Sequence, residues 1–429
     1  MQVGSAPVTR VLTAHAQVSR RKLFAASSGL GDYKDAVHRR PFAGSILVLC
    51  LCLIACSSGT RKPAATPSSS SPAPGPTVSS SSPTPRPAQT RSRSPVASCG
   101  VGQQSAPRGT INANFATALA FAPDGRLFWT ERSGTVRVWQ GGRSRVFARV
   151  STVTTEPGGS YSERGLLGLA ISPTFTRDRH VYAFFSGSDY AHQYVIRWTD
   201  CAGKGTQPRI IITLPAGGDC CHKGGRIAFG PDGMLYVSLG DEHTASSAQN
   251  KGDVRGKLLR YTPSGRPAPG NPFGNAVYAY GFRNPFGLAI SSSGRIAITS
   301  NGPTGDAGSP STGYDTVVDG VVRGGGYQWP NCYGYSHPLG SHTSCGAGQH
   351  GPTWSSESST VVPTGAWYVD SSGPSGYAGH LVFCTYARGM LILSGGSVRN
   401  GPSRCRLAVT QAPNHVLYYS DASHIYRLA

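Results

Sequence analysis

Acidic residues are scarce in this chain: 20 Asp and Glu stand against 40 Lys and Arg in 429 residues, a formal charge of +20. Charged residues of both signs amount to only 14% of the total, and long amphipathic helical patterns are all but missing. A helical bundle has little to be built from. With 56 Gly and 32 Pro, the composition predicts an all-β protein rich in turns. No basic run or basic helix accompanies the positive charge. Residues 1–40 hold seven Lys/Arg and residues 57–98 hold five, which leaves 28 basic against 18 acidic residues scattered over 99–429. This argues against a nucleic-acid partner and fits an anionic small ligand or an anionic cell envelope better. Paired C-x-x-C motifs are absent too, which argues against a zinc module. Length alone admits one large domain or two medium ones.

Long apolar runs are likewise missing, apart from one of about 14 residues at 42–55, too short to span a bilayer comfortably. Arg39-Arg40 precedes it as a basic n-region, whereas Ser19-Arg20-Arg21-Lys22-Leu23-Phe24 has no apolar run close behind it. The run ends in Leu53-Ile54-Ala55-Cys56, which resembles the lipobox of bacterial lipoproteins and marks Cys56 for lipidation. Residues 1–56 are therefore expected to be an N-terminal extension and lipoprotein signal peptide. Residues 57–98 are almost all Ser, Pro, Thr and Ala with isolated basic residues, a tether that cannot bury a core. Extended at ~3.1 Å per residue, it would hold a domain on the order of 100 Å from its anchor. The expectation is an exported domain over 99–429, tied by lipid to the outer face of the bacterial cytoplasmic membrane.

That domain carries a weak repeat. Leu119-Ala120-Phe121-Ala122-Pro123-Asp124-Gly125-Arg126-Leu127-Phe128 returns as Ile227-Ala228-Phe229-Gly230-Pro231-Asp232-Gly233-Met234-Leu235-Tyr236, with looser copies at Leu169-Ala170-Ile171, Leu288-Ala289-Ile290 and Leu407-Ala408-Val409. The first four copies lie 50 to 61 residues apart. Each reads strand, turn, strand, usually followed by a third strand such as Val136-Arg137-Val138-Trp139. Four-stranded antiparallel blades at this period predict a β-propeller, and roughly 320 residues make six blades, with five or seven also compatible.

The second copy belongs to the stretch 220–241, CCHKGGRIAFGPDGMLYVSLGD. Gly230-Pro231-Asp232-Gly233 is a strong turn, since Pro presets φ, Asp bonds its own backbone and Gly accepts positive φ. Folding about Asp232 brings His222 and Asp241 to one open end of a hairpin, an arrangement suited to a general base oriented by an acid. Beyond Cys50, Cys52 and Cys56, eight cysteines remain, an even set that fits up to four bridges in an exported domain. Cys332–Cys345 is the pairing expected first. Cys99 is expected to tie the start of the domain to the last blade through Cys384 or Cys405, and Cys220 and Cys221 to take separate partners rather than each other.

The pattern H-x-G-G-R-I-x-F-G-P-D-G-x-L-Y-V-x-x-G-D from His222 resembles the soluble glucose/sorbosone dehydrogenase family. Glu163 to Ala170, Gly256 to Arg260, Tyr280 to Gly287, Gly302-Pro303, Gly326 to Pro330 and Arg404-Cys405-Arg406 are similar to further landmarks of that family, in the same order. The resemblance implies a six-bladed propeller that oxidises sugars with pyrroloquinoline quinone (PQQ) and calcium, passing electrons to an acceptor the sequence does not specify. It implies His222 as base and Asp241 as its orienting acid. PQQ carries three carboxylates, for which planar Arg pairing is apt. The resemblance assigns Arg283, Arg404, Arg406 and Arg388 to that task, with Asn284 and Glu163 beside them. Carbonyls of Gly302 and Pro303 are implied as calcium ligands, a hard ion that accepts backbone oxygens. Glu163 sets a negative charge near an anionic cofactor unless it is protonated or paired. After Gly302-Pro303 the chain departs from the family pattern, running through Thr304-Gly305-Asp306 to Tyr314-Asp315, which bears on any secondary calcium site. The rival expectation is a non-catalytic extracellular propeller that binds sugar or protein.

Overall fold

The computed structural model describes residues 99–217 and 219–428. The expected signal peptide, Cys56 and the expected tether lie outside the described residues. Among the described residues, no helix is long and apolar enough to cross a membrane.

Six four-stranded antiparallel sheets form the blades of a propeller. Their innermost strands are Ala116–Phe121, Leu166–Ile171, Gly224–Phe229, Pro285–Ile290, Pro363–Tyr368 and Val409–Gln411. The five repeat copies read from the sequence are the first two strands of blades one to four and of blade six. Blade five escaped the pattern because its inner strand is joined to Leu381–Thr385 by a loop over 369–380 instead of a Pro-Asp-Gly turn. In the 220–241 hairpin, Phe229 pairs with Leu235 and Ile227 with Val237. The turn closes as expected: Gly233 N donates to Gly230 O at 2.9 Å, and Met234 N to Asp232 Oδ1 at 3.0 Å.

The inner strands crowd one another around the axis, so small side chains are required there. A Cβ on Gly168 would come within 2.3 Å of Gly225 O in the next blade. Arg226 is buried on this axis. Its guanidinium donates to the carbonyls of Thr117, Leu167, Phe286 and Leu407, which belong to blades one, two, four and six. Burial pushes its pKa down to about 10, so it stays charged at neutral pH. Beyond it runs an axial cavity of about 240 Å³ lined by all six inner strands, with Arg226 as its only titratable residue.

The ring closes through Ile111–Asn112, which pairs with His424–Arg427 and completes blade six. Before that strand, the chain crosses the face opposite the site: Gln104 N donates to Asp124 O, and Cys99 is bridged to Cys201 at the end of His192–Cys201 in blade two. The expected link from Cys99 to Cys384 or Cys405 is therefore wrong. Those two cysteines lie at the other face, bridged to each other between blades five and six. Cys332–Cys345 is bridged as expected. Cys220 and Cys221 pair with each other, contrary to the expectation of separate partners.

Candidate active site

In each blade the inner strand runs away from one face and the second strand returns to it. Residues just before an inner strand and just after a second strand thus share that face. Pairing of these two strands shifts register near this end in blades one to five, at Ala116/Ala118, Leu166/Gly168, Gly224/Ile227, Pro285/Gly287 and Pro363/Ala366. Such bulges end regular pairing and re-aim the residues beside them. His222, Glu163, Arg283, Asn284, Arg404 and Arg406 precede inner strands, while Asp241, Gly302, Pro303 and Arg388 follow second strands. All the residues singled out within the described chain therefore lie on one face.

His222 Nδ1 donates to Asp241 Oδ1 at 2.6 Å, with the two residues 3% and 1% exposed. A carboxylate only accepts, so Nδ1 is the donor, and in the neutral imidazole this tautomer leaves Nε2 as the acceptor. Asp241 Oδ2 accepts from Trp329 Nε1 at 2.7 Å, and Oδ1 also accepts from His243 N at 3.0 Å. His222 has φ of 59°, and a Cβ on Gly240 would fall 1.8 Å from its carbonyl oxygen, so the glycine of the Gly-Asp pair is sterically required. The His243 ring stacks on His222 with centroids 3.9 Å apart and planes 16° from parallel. Burial, and then the neighbouring His222, hold the His243 pKa below the ordinary imidazole range.

A second pair repeats the first one residue further along. Lys223 Nζ is bonded to Glu242 Oε2, both side chains fully buried. Glu242 also accepts from Gln193 Nε2 at 2.6 Å and Gly217 N at 2.9 Å. Burial pushes its pKa up to about 7 despite the lysine. Lys223 thus does not reach solvent. The sequence did carry a signal for this pair, since a basic residue follows His222 and an acid follows Asp241.

Asn284 is brought into the cluster: its Nδ2 donates to both Glu163 oxygens at 3.2 and 3.1 Å, and its Oδ1 accepts from Gly224 N at 3.2 Å. Glu163, half-buried, also accepts from Lys223 N at 3.3 Å, so its charge is met by neutral donors. Arg283 makes a two-point contact with Asp306, Nε to Oδ2 at 2.8 Å and Nη2 to Oδ1 at 2.7 Å. Burial alone would raise the Asp306 pKa, but the Arg283 hydrogen bonds and charge hold it far below the carboxylate range. Arg283 Nη1 donates to Gly302 O at 2.6 Å, and Gly302 N donates to the buried Asp315 at 2.9 Å. The neighbouring Asn301 Oδ1 is buried and has no hydrogen-bond partner.

The other three arginines stand apart from this cluster. Arg406 Nη1 donates to Tyr386 O at 2.5 Å, Arg404 lies 5.3 Å over the Tyr426 ring, and Arg388 is exposed. Among the described residues none of the three pairs with a carboxylate. Sequence reasoning missed Trp329, Asp306, Glu242 and His243 as members of the site. Trp329 comes from an insertion between the third and fourth strands of blade four. That insertion starts at the opposite face and climbs beside Val277–Tyr280, with Tyr327 N donating to Tyr280 O at 2.8 Å. No local pattern announces such a path.

Together these features define a six-bladed propeller with a buried acid–base pair on one face, the face that also carries Arg388, Arg404 and Arg406. The profile of the Glucose / Sorbosone dehydrogenase family matches residues 114–394, and the chain belongs to that family. It is 28% identical over 270 residues to quinoprotein glucose dehydrogenase B of Acinetobacter calcoaceticus, covering 53% of each chain. It is 29% identical over 227 residues to an aldose sugar dehydrogenase of Escherichia coli, covering 50% of this chain and 58% of that one. The chain thus spans little more than half the length of these curated relatives. Among solved structures, the PQQ-bound form of aldose sugar dehydrogenase from Streptomyces coelicolor is similar with a TM-score of 0.59 and 26% identity, over 75% of this chain and 99% of that one.

Proposed function

We propose that the protein oxidises an aldose sugar at its anomeric carbon, using PQQ and calcium, with His222 as general base. The buried 2.6 Å contact between His222 and Asp241, on the face that also carries Arg388, Arg404 and Arg406, carries this reading. The donor set fits both groups. Arg388, Arg404 and Arg406, free of carboxylate partners, suit an anion with several carboxylates. Asn301 Oδ1 and the Pro303 carbonyl close to it in the chain are oxygens apt for a hard cation, whereas the Gly302 carbonyl already accepts from Arg283 Nη1 and has one lone pair left to offer. Held by these residues, PQQ would supply a hydride acceptor and calcium a Lewis acid beside it.

The chain's own residues supply the proton chemistry. His222 Nε2 takes the proton of the anomeric hydroxyl, and Asp241 stabilises the imidazolium that results. Trp329 and the His243 amide hold Asp241 in place, so the imidazole is aimed before substrate arrives. Lys223 and Glu242 lock the two chain ends that carry the pair. Exported, lipid-anchored localisation belongs to the same reading, supported by the signal-like residues 39–56 and by four disulfides.

Full-chain protein reconstituted with PQQ and calcium, assayed for dye reduction across aldoses, tests the proposal. Activity should vanish on chelating calcium and fall roughly 10²- to 10⁴-fold in His222→Ala. If no PQQ binds, the dehydrogenase reading fails. A fully active His222→Ala would instead remove only the assignment of the base, and sugar binding without dye reduction would favour the non-catalytic propeller.

A further inference from the structure

The ligand atoms of Cys220, Cys221 and His243 all lie within 4.8 Å of one another. The geometry points to a redox-gated site for a thiophilic divalent cation, such as Zn²⁺ or Cd²⁺, formed by these three residues when the Cys220–Cys221 disulfide is reduced. The bridged sulfurs are poor donors, because metal ligation by cysteine requires thiolate. Two electrons and two protons from a dithiol reductant, itself oxidised to a disulfide, break the S–S bond and leave two thiols. A divalent cation then forms two metal–sulfur bonds and one bond to the His243 ring, releasing both thiol protons. Two Cys and one His, with a fourth position left to water, is an established ligand set for zinc, and cadmium shares its preference for sulfur.

The surroundings favour such a site. Cys220 and Cys221 are half-buried, so a reductant and a metal ion can reach them. The chain around them is held independently of the S–S bond. Cys220 O accepts from Glu163 N at 2.8 Å and Ser162 Oγ at 3.1 Å, while Cys220 N donates to Asp219 Oδ1 at 2.6 Å. Opening the disulfide therefore need not carry the sulfurs away from His243. Asp219 Oδ2 lies 3.6 Å from His243 Nδ1, beyond hydrogen-bond distance but near enough for its negative charge to favour a cation there. The absence of C-x-x-C in the sequence has no bearing here, because the third ligand comes from the far end of the 220–241 hairpin.

Occupancy would act on the neighbouring base. The His243 ring that takes the metal is stacked at 3.9 Å on His222, so a metal held there sets its ligand shell directly beside the base and crowds the approach of a sugar to it. Metal binding to the reduced protein should thus inhibit sugar oxidation. This consequence rests on the function proposed above; the metal site itself does not.

The test uses full-chain protein, treated with a dithiol that is then removed anaerobically, and titrated with Cd²⁺ while ultraviolet thiolate-to-cadmium absorption is recorded. Reduced wild type should bind one Cd²⁺ per chain with this absorption, and oxidised wild type none. Cys220→Ser/Cys221→Ser put through the same reduction, which keeps the other six paired cysteines and so reports any background from them, should not show it. Reduced His243→Ala should bind at least about tenfold more weakly, the loss that removing even an outer-shell partner causes. Equal binding by oxidised protein, by the double serine variant or by His243→Ala overturns the site. In the PQQ-loaded enzyme, Cd²⁺ should suppress dye reduction only after reduction of the disulfide, and undiminished activity with Cd²⁺ bound overturns the coupling to His222. Cadmium binding in a protein that never oxidises sugar would count against the proposed function and leave the site standing.

Discussion

At the scale of single residues, the buried Lys223–Glu242 pair is where pH should be felt. Burial lifts the Glu242 carboxyl from 4.5 to about 7. Because the folded value is the higher one, protonation favours the folded state. That contribution is complete below pH 4.5 and is lost as pH rises through about 7. Relative to Glu242→Gln, which cannot titrate, wild type should lose on the order of 3 kcal/mol of stability across this window. Denaturant melts at a series of pH values measure the difference, and a constant gap between the two proteins would contradict it. Lys223→Met removes the counter-charge and should move the same transition to higher pH. Before folding, Lys223 and Glu242 are 19 positions apart with no reason to meet. The hairpin that joins His222 to Asp241 necessarily joins them as well.

At the scale of elements, Arg226 shows how one inner strand depends on the others. It lies two residues past Gly224, where blade three begins, and it serves carbonyls on four other blades. Arg226→Met would leave these buried carbonyls short of a donor. The variant should lose at least about 3 kcal/mol, read as a lower urea midpoint. Arg226→Lys should recover only part of this, because a single ammonium with three donors cannot reach four sides of the axis. An Arg226→Met protein as stable as wild type would show that water satisfies these carbonyls. The G-G-R motif after His222 is thus legible as a landmark in the sequence, but its work at the axis is not: that role exists only once six strands converge.

At the scale of the molecule, the ring is held shut by a two-residue strand. Ile111 is 4% exposed and sits opposite Ile425, while its neighbour Asn112 is exposed. Ile111→Asp places an unpaired charge in that seam and should cost about 4 kcal/mol or more. Asn112→Asp, one residue along, should stay within roughly 0.5 kcal/mol of wild type. Thermal melts of the two variants distinguish closure at this strand from stability spread evenly over the blades. Closure by strand pairing also explains the corrected disulfide. Because Ile111–Asn112 already fastens the first blade to the last, Cys99 is left to brace blade two on the opposite face.

The sequence by itself determined the repeating blade, the hairpin about Asp232 and the meeting of His222 with Asp241. These follow from local turn chemistry and from strand periodicity, which act over a few residues. Tertiary structure alone decided the rest. Trp329 reaches Asp241 from an insertion 88 residues away, Arg283 is matched by Asp306, and Cys220 closes on Cys221 beneath His243. Such contacts depend on which loops the ring brings together on one face, and no short-range preference encodes that. The stretch 220–241 shows both limits: its His–Asp pair, and the Lys223–Glu242 pair one residue along, follow from the turn at its centre, while the tryptophan and the sulfur pair beside them became visible only when the blades closed.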